Sequence, residues 1–154
     1  GPSDIDYLGE AVSSLGPKWM VRGLKMRPGR PTTVAAMEDC KLIFGLSGHP
    51  ISALNALINV IEPMVKIMLG IHKSPAKPIV KGRLTRNVTV EPGMITQIRV
   101  KATRRNGELL VTPLGGGSSV TTSLATTDGL VTLTSSAREG DVVDVFLIQD
   151  PGGS

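Results

Sequence analysis

The chain has 154 residues, 40% of them hydrophobic but only 3% aromatic, with a formal net charge of +4 and a pI near 9.5. That length suits one compact domain or two small ones, and the apolar content excludes a disordered chain while requiring a core of Val, Leu, Ile and Met. A single cysteine, Cys40, excludes an intrachain disulfide or a thiolate zinc site, and scattered Lys and Arg suit a small anion better than a nucleic-acid backbone.

Nothing at the N-terminus reads as a signal peptide. Gly1-Pro2 reads as the remnant of a protease cut, so a truncated protein of the cytoplasm is expected. Asp6 to Leu15 predicts a helix, with Leu8, Ala11, Val12 and Leu15 at helical spacing, Asp4 or Asp6 as cap and Gly16-Pro17 as the stop. Trp19 to Met26 reads as a strand, Pro28-Gly29 as a tight turn, Thr32 to Met37 as extended, and Lys41 to Leu46 as a short apolar strand. Pro50 to Leu69 predicts a long helix on which Ser52, Asn55, Asn59, Glu62 and Lys66 form one polar stripe. Such a helix is expected to be buried on most sides and kinked about a turn before Pro63. Its carboxylate, ammonium, amides and proline argue against a membrane span.

The grammar then changes. Residues 73–78 read as a linker, and from 79 to 150 short β-branched runs alternate with turn signals, which predicts a small antiparallel sandwich or barrel. Asn106-Gly107 between two such runs is a type I′ hairpin signal.

Four stretches carry chemistry. In "RPGRP", Arg27 to Pro31, Pro-Gly fits the centre of a type II turn, and two flanking guanidinium groups can converge on one oxyanion, or simply be solvated. In "LSGHP", a strand running into Gly48 and a helix start aims free N–H groups at one spot, or is a joint in which Gly48 permits close packing. "GGGSS", Gly115 to Ser119, offers close backbone approach and two hydroxyls, or is a flexible loop. Alternation in "TQIRVKAT" places Gln97, Arg99 and Lys101 on one strand face, which is either ligand-facing or the polar outside of a barrel. No triad, metal-ligating cluster, dinucleotide fingerprint or P-loop is visible.

The order of these stretches is more specific than any one of them. Asp6-Tyr7 opens a helix, a strand ends in "KMRPGRP", "IFGLSGHPISAL" leads into a helix bearing Glu62-Pro63, and a β-rich tail holds "IRV", "NGEL", "GGGSS" and "GLVTL". This resembles the C-terminal half of the molybdopterin molybdenumtransferases, the family to which gephyrin's C-terminal region belongs. The family's Pro-Gly-Asn-Pro reads Ser47-Gly48-His49-Pro50 here, and Arg27 replaces the Lys of its Lys-Pro-Gly.

The resemblance implies insertion of molybdate into adenylylated molybdopterin. It implies that Arg27, Pro28, Arg30, Gly48, Ser52, Arg99 and Ser118 surround molybdate and the pterin phosphate, with Asp6 beside a Mg²⁺ ion that stabilises the leaving phosphate. Of these, Asp6, Arg27, Arg99 and Ser118 fall to the catalytic set. The fold implied is the second half of a three-layer α/β domain over 1–72, a linker over 73–78 and a small C-terminal β-barrel over 79–150. A half domain would expose a strand edge and apolar helix surface, so a homodimer is expected, and the fragment alone is expected not to turn over. Two other readings stand beside this one: a non-catalytic peptide-binding scaffold of the same family, and a basic β-barrel module that binds an anion or nucleic acid. A nucleic-acid partner is disfavoured because Phe146 is the only aromatic residue of the tail.

Overall fold

The computed structural model describes residues 7–72, 79–115 and 125–149. The chain divides into two units, Gly1–His72 and Lys73–Ser154.

The first unit opens with α1 (Tyr7–Ser14), which buries Gly9 and Val12 and stops at Gly16, whose φ of +65° only glycine adopts freely. The strand expected from Trp19 to Met26 is broken into β1 (Trp19–Arg22) and β2 (Met26–Arg27). The break falls at Gly23, which turns at φ +77° and donates its N–H to the Thr32 carbonyl at 3.0 Å. β3 (Thr33–Ala36) and β4 (Leu42–Gly45) complete an antiparallel sheet in the order β1-β3-β4, with Val34 opposite both Val21 and Phe44. A β-carbon on Gly45 would lie 2.3 Å from Leu8 Cδ2 and 3.2 Å from Thr33 Cβ. The missing side chain at Gly45 is therefore what lets α1 lie close on the sheet.

The long helix runs as α2 (Pro50–Ala56), a π-helical turn (Leu57–Ile61) and α3 (Glu62–Met68). The kink expected before Pro63 takes this form because proline offers no N–H and crowds the carbonyl four residues back; a widened turn absorbs both. The expectation of burial on most sides is not met, since only Ile51, Ser52, Asn55 and Ala56 are buried. The apolar helix surface expected to be exposed in a half domain is exposed. The polar stripe is divided: its first two members turn inward, Asn59 is exposed, and Glu62 and Lys66 are half-buried. Ser52 and Asn55 are buried with Ile51 and Ala56, whereas Leu57, Val65, Ile67 and Met68 are exposed, Ile67 by 68%. Of the two buried members, Asn55 has a carbonyl of another segment to reach, that of Pro28.

The second unit consists of β5 (Ile79–Leu84), β6 (Ile95–Arg105), β7 (Glu108–Pro113), β8 (Gly129–Leu133) and β9 (Val142–Leu147). They pair β6-β7-β5-β9-β8, and β8 returns to β6, so the sheet closes into a barrel. The all-antiparallel expectation is corrected at one seam, where β5 and β7 run parallel with Leu84 opposite Val111. Turns follow the sequence signals. Asn106 and Gly107 take φ of +52° and +80°, as a type I′ turn requires, and Gly93 and Gly140 are also at positive φ. Leu84, Val100, Val111, Val131 and Val145 fill the barrel at 1% exposure or less. Two glycines let the walls meet: a β-carbon on Gly82 would lie 2.9 Å from methyls of Val111 and Val145, and one on Gly129 would lie 2.9 Å from the Phe146 carbonyl oxygen.

Candidate oxyanion site

Within the stretch Arg27–Thr32, the carbonyls of Pro28, Gly29 and Arg30 are tied inward. The Pro28 carbonyl accepts from the side-chain amide of Asn55 on α2. The Gly29 carbonyl accepts from Thr32 twice, from the N–H at 3.0 Å and from Oγ1 at 2.7 Å, and the Arg30 carbonyl accepts from the Leu24 N–H at 2.8 Å. The N–H groups of Gly29 and Arg30 donate to no described residue. Arg27 and Arg30 are exposed on either side, and Pro28 is half-buried.

This differs in detail from the expected type II turn over Arg27–Arg30. The Arg27–Pro28 peptide is cis, and the hydrogen-bonded turn runs from Gly29 to Thr32 instead. Gly29 does take the anticipated positive φ, at +111°. Its lack of a side chain also matters for packing, since a β-carbon there would sit 2.6 Å from Met26 Cε and 3.3 Å from the Ser52 carbonyl oxygen. The turn is thus seated on the first turns of α2.

The strand-to-helix joint divides its labour between two glycines. Gly45 is the packing glycine, whereas a β-carbon on Gly48 would meet nothing within 4 Å. The alternative in which Gly48 merely permits close packing is therefore wrong. Pro50 occupies the first helical position as expected, after His49 as the N-cap residue. The His49 side chain does not cap the helix; Ser47 Oγ accepts from the His49 N–H at 3.3 Å and lies 3.2 Å from His49 Nδ1. Ser52 is buried one turn further on.

The structure therefore gathers Pro28, Gly29 and Ser52 on one side of the first unit, with Arg27, Arg30 and Gly48 exposed nearby in sequence. Arg99 belongs to β6 of the barrel unit, where it is 6% exposed and its carbonyl accepts from the Leu114 N–H at 2.9 Å. A solvated outer-face arginine would not be so covered. Asp6 and Ser118 lie outside the described residues.

Two residues that matter were not singled out from sequence. Asn55 stood in the polar stripe, three residues after Ser52, and that shared face was the available signal. Asp128 had none. It is 2% exposed in the barrel unit, where Oδ1 accepts from Lys101 Nζ and Gln149 Nε2 and Oδ2 from the Ala102 N–H, each at 2.8 Å. Burial by itself would push its carboxyl up, but these hydrogen bonds and the charge of Lys101 outweigh that and hold it below the ordinary 3.8.

Residues 81–148 match the MoeA C-terminal region (domain IV). The chain is 32% identical over 156 residues to a molybdopterin molybdenumtransferase of Bacillus subtilis, covering 98% of this chain and 36% of that protein. It is 30% identical over 150 residues to one of Staphylococcus epidermidis, covering 95% and 35%. Among solved structures, a molybdopterin biosynthesis MoeA protein of Pyrococcus horikoshii superposes with a TM-score of 0.68 at 29% identity, over 90% of this chain and 34% of that one. A molybdenum cofactor biosynthesis protein of Pyrococcus furiosus shares the fold, with a TM-score of 0.67 at 20% identity over 96% of this chain and 56% of that one. The chain spans about a third of the length of the curated relatives it matches.

Proposed function

We infer that this chain, a relative along nearly its whole length of the C-terminal third of the molybdopterin molybdenumtransferases, serves molybdenum cofactor biosynthesis as an oxyanion-holding part of such an enzyme. The reaction in this reading is insertion of molybdate into adenylylated molybdopterin.

The observation that carries the reading is the inward-tied turn. With the carbonyls of Pro28, Gly29 and Arg30 engaged by Asn55, Thr32 and Leu24, the turn offers an incoming ligand donors rather than acceptors. Two exposed guanidinium groups at Arg27 and Arg30 add positive charge and paired N–H donors that suit a tetrahedral dianion. Gly48 leaves room beside the start of the helix for a ligand to approach. Ser52, Arg99 and Ser118 are assigned to molybdate and the pterin phosphate by the family resemblance. Insertion exchanges oxide ligands on molybdenum for the two dithiolene sulfurs of the pterin, so the protein need only bind and orient.

Mg²⁺ enters this reading through Asp6. Among the described residues no group of three or more His, Cys, Asp or Glu side chains is placed to hold a metal ion. The same reading makes the first unit part of a three-layer α/β domain and the protein a cytoplasmic homodimer.

Calorimetric titration with molybdate and tungstate tests it. Binding to the parent protein, weakened by Arg27→Ala and Arg30→Ala, is the expected result. A parent protein that takes up neither oxyanion would end the reading.

A further inference from the structure

We propose that Asn55 is the positioning residue of this site: its buried amide sets the orientation of the Arg27–Arg30 turn, and Asn59 holds that amide the right way round. The proposal rests on the oxyanion reading above.

Asn55 is 2% exposed, on the buried side of the helix with Ile51, Ser52 and Ala56. Asparagine is a weak helix former, and burying an amide without partners costs free energy. Leucine would serve the helix better if packing were the only demand. Here both ends of the amide are used. Nδ2 donates to the Pro28 carbonyl, and Oδ1 accepts from Asn59 Nδ2 at 2.5 Å. Asn59 Nδ2 is itself held by the Asn55 backbone carbonyl at 3.0 Å.

A side-chain amide has a donor end and an acceptor end of nearly the same shape. Reversed, Asn55 would set its oxygen against the Pro28 carbonyl and its NH₂ against that of Asn59, two like-with-like contacts. Asn59 therefore selects the donating orientation.

The consequence for the turn follows from peptide planarity. In a trans peptide the carbonyl and the following N–H point in opposite directions. Drawing the Pro28 carbonyl towards α2 turns the Gly29 N–H away from it, and Thr32 does the same for the Arg30 N–H by holding the Gly29 carbonyl. The peptide plane that Asn55 fixes lies between the two arginines. Through Asn59, which lies in the π-helical turn, the site is also linked to that irregularity of the helix.

The test combines two measurements on the chain: molybdate titration, and ¹⁵N relaxation of the Gly29 and Arg30 amides without ligand. Asn55→Asp keeps the volume and removes the donor; Asn59→Ala, at an exposed position, removes the orienting group and leaves the buried contacts alone. Both variants should leave the far-ultraviolet circular dichroism unchanged and mobilise the two turn amides, and Asn55→Asp should weaken molybdate binding about tenfold. Variants that melt earlier but bind as tightly, with quiet turn amides, would show that the amide only supports packing and would overturn the proposal. If the unsubstituted chain binds no molybdate, titration of the parent protein decides the oxyanion reading separately. The relaxation data then decide alone: mobile turn amides in the variants uphold the tether, and unchanged ones refute it.

Discussion

Asp128 and Lys101 form an ion pair of unequal partners: the Asp128 side chain is 3% exposed, that of Lys101 53%, and their charged groups meet at 2.8 Å. The same carboxylate takes the Ala102 N–H, so it joins β6 to the segment entering β8 through both backbone and side chain.

Acid should loosen the barrel through this residue. Its carboxyl titrates below 3.8 in the folded state, so the unfolded chain takes up the proton first as pH falls. The stabilisation is complete above that value and is lost as pH drops from there through the lower, folded-state value. Urea melts between pH 3 and 7 should show a fall at the acid end that Asp128→Asn lacks. At neutral pH the Asn variant should be less stable by about 1–3 kcal/mol, since the Ala102 N–H loses an ionised acceptor.

Gly129→Ala should be costly and Gly48→Ala should not. A methyl at 129 meets a backbone carbonyl oxygen at 2.9 Å, and a strand cannot move aside as a side chain can. Overpacking of this kind costs about 1–3 kcal/mol, whereas Gly48→Ala is expected to change stability by less than about 0.5 kcal/mol. Thermal melts of the two variants check this. The Gly48→Ala protein is then sound material for asking whether a methyl there impedes molybdate.

Asn106→Ala should cost about 1 kcal/mol, because alanine is strained at φ +52°, while Asn106→Gly should be neutral. Equal stabilities for the two variants would contradict the type I′ geometry. This hairpin was legible in the sequence because its cause is local: Asn-Gly between β-branched runs tolerates positive φ at both positions. The barrel strands were legible for the same reason, residue by residue. Their pairing was not, since nothing near Leu84 says that it lies parallel to Val111, and Asp128 reaches partners 26 and 27 positions away.

Ile67→Glu should leave stability within about 0.5 kcal/mol of the parent chain, as its side chain is largely in solvent. A helix buried on that side would lose several times as much on taking a charge, so one denaturation curve separates the two arrangements. The helix is where pattern reading was misled. Apolar residues outnumber polar ones around it, which argues for an apolar side turned inward. The buried side instead combines Ile51 and Ala56 with Ser52 and Asn55, and the Asn55 amide reaches the Pro28 carbonyl. At the candidate site the sequence motifs pointed to Arg27 to Arg30 and to the joint at Gly48. The tether between those motifs runs through a side chain 27 residues from its partner and belonged to neither.

The last strand of the barrel is also one of its inner staves. β9 lies between β5, which opens the unit, and β8, and without it both would be left with a bare edge. During synthesis the ring cannot shut while Val142–Leu147 are still inside the ribosome. Chains stalled upstream of Val142 should present two open strands to any extended peptide nearby. Closure of this unit therefore waits on the emergence of β9.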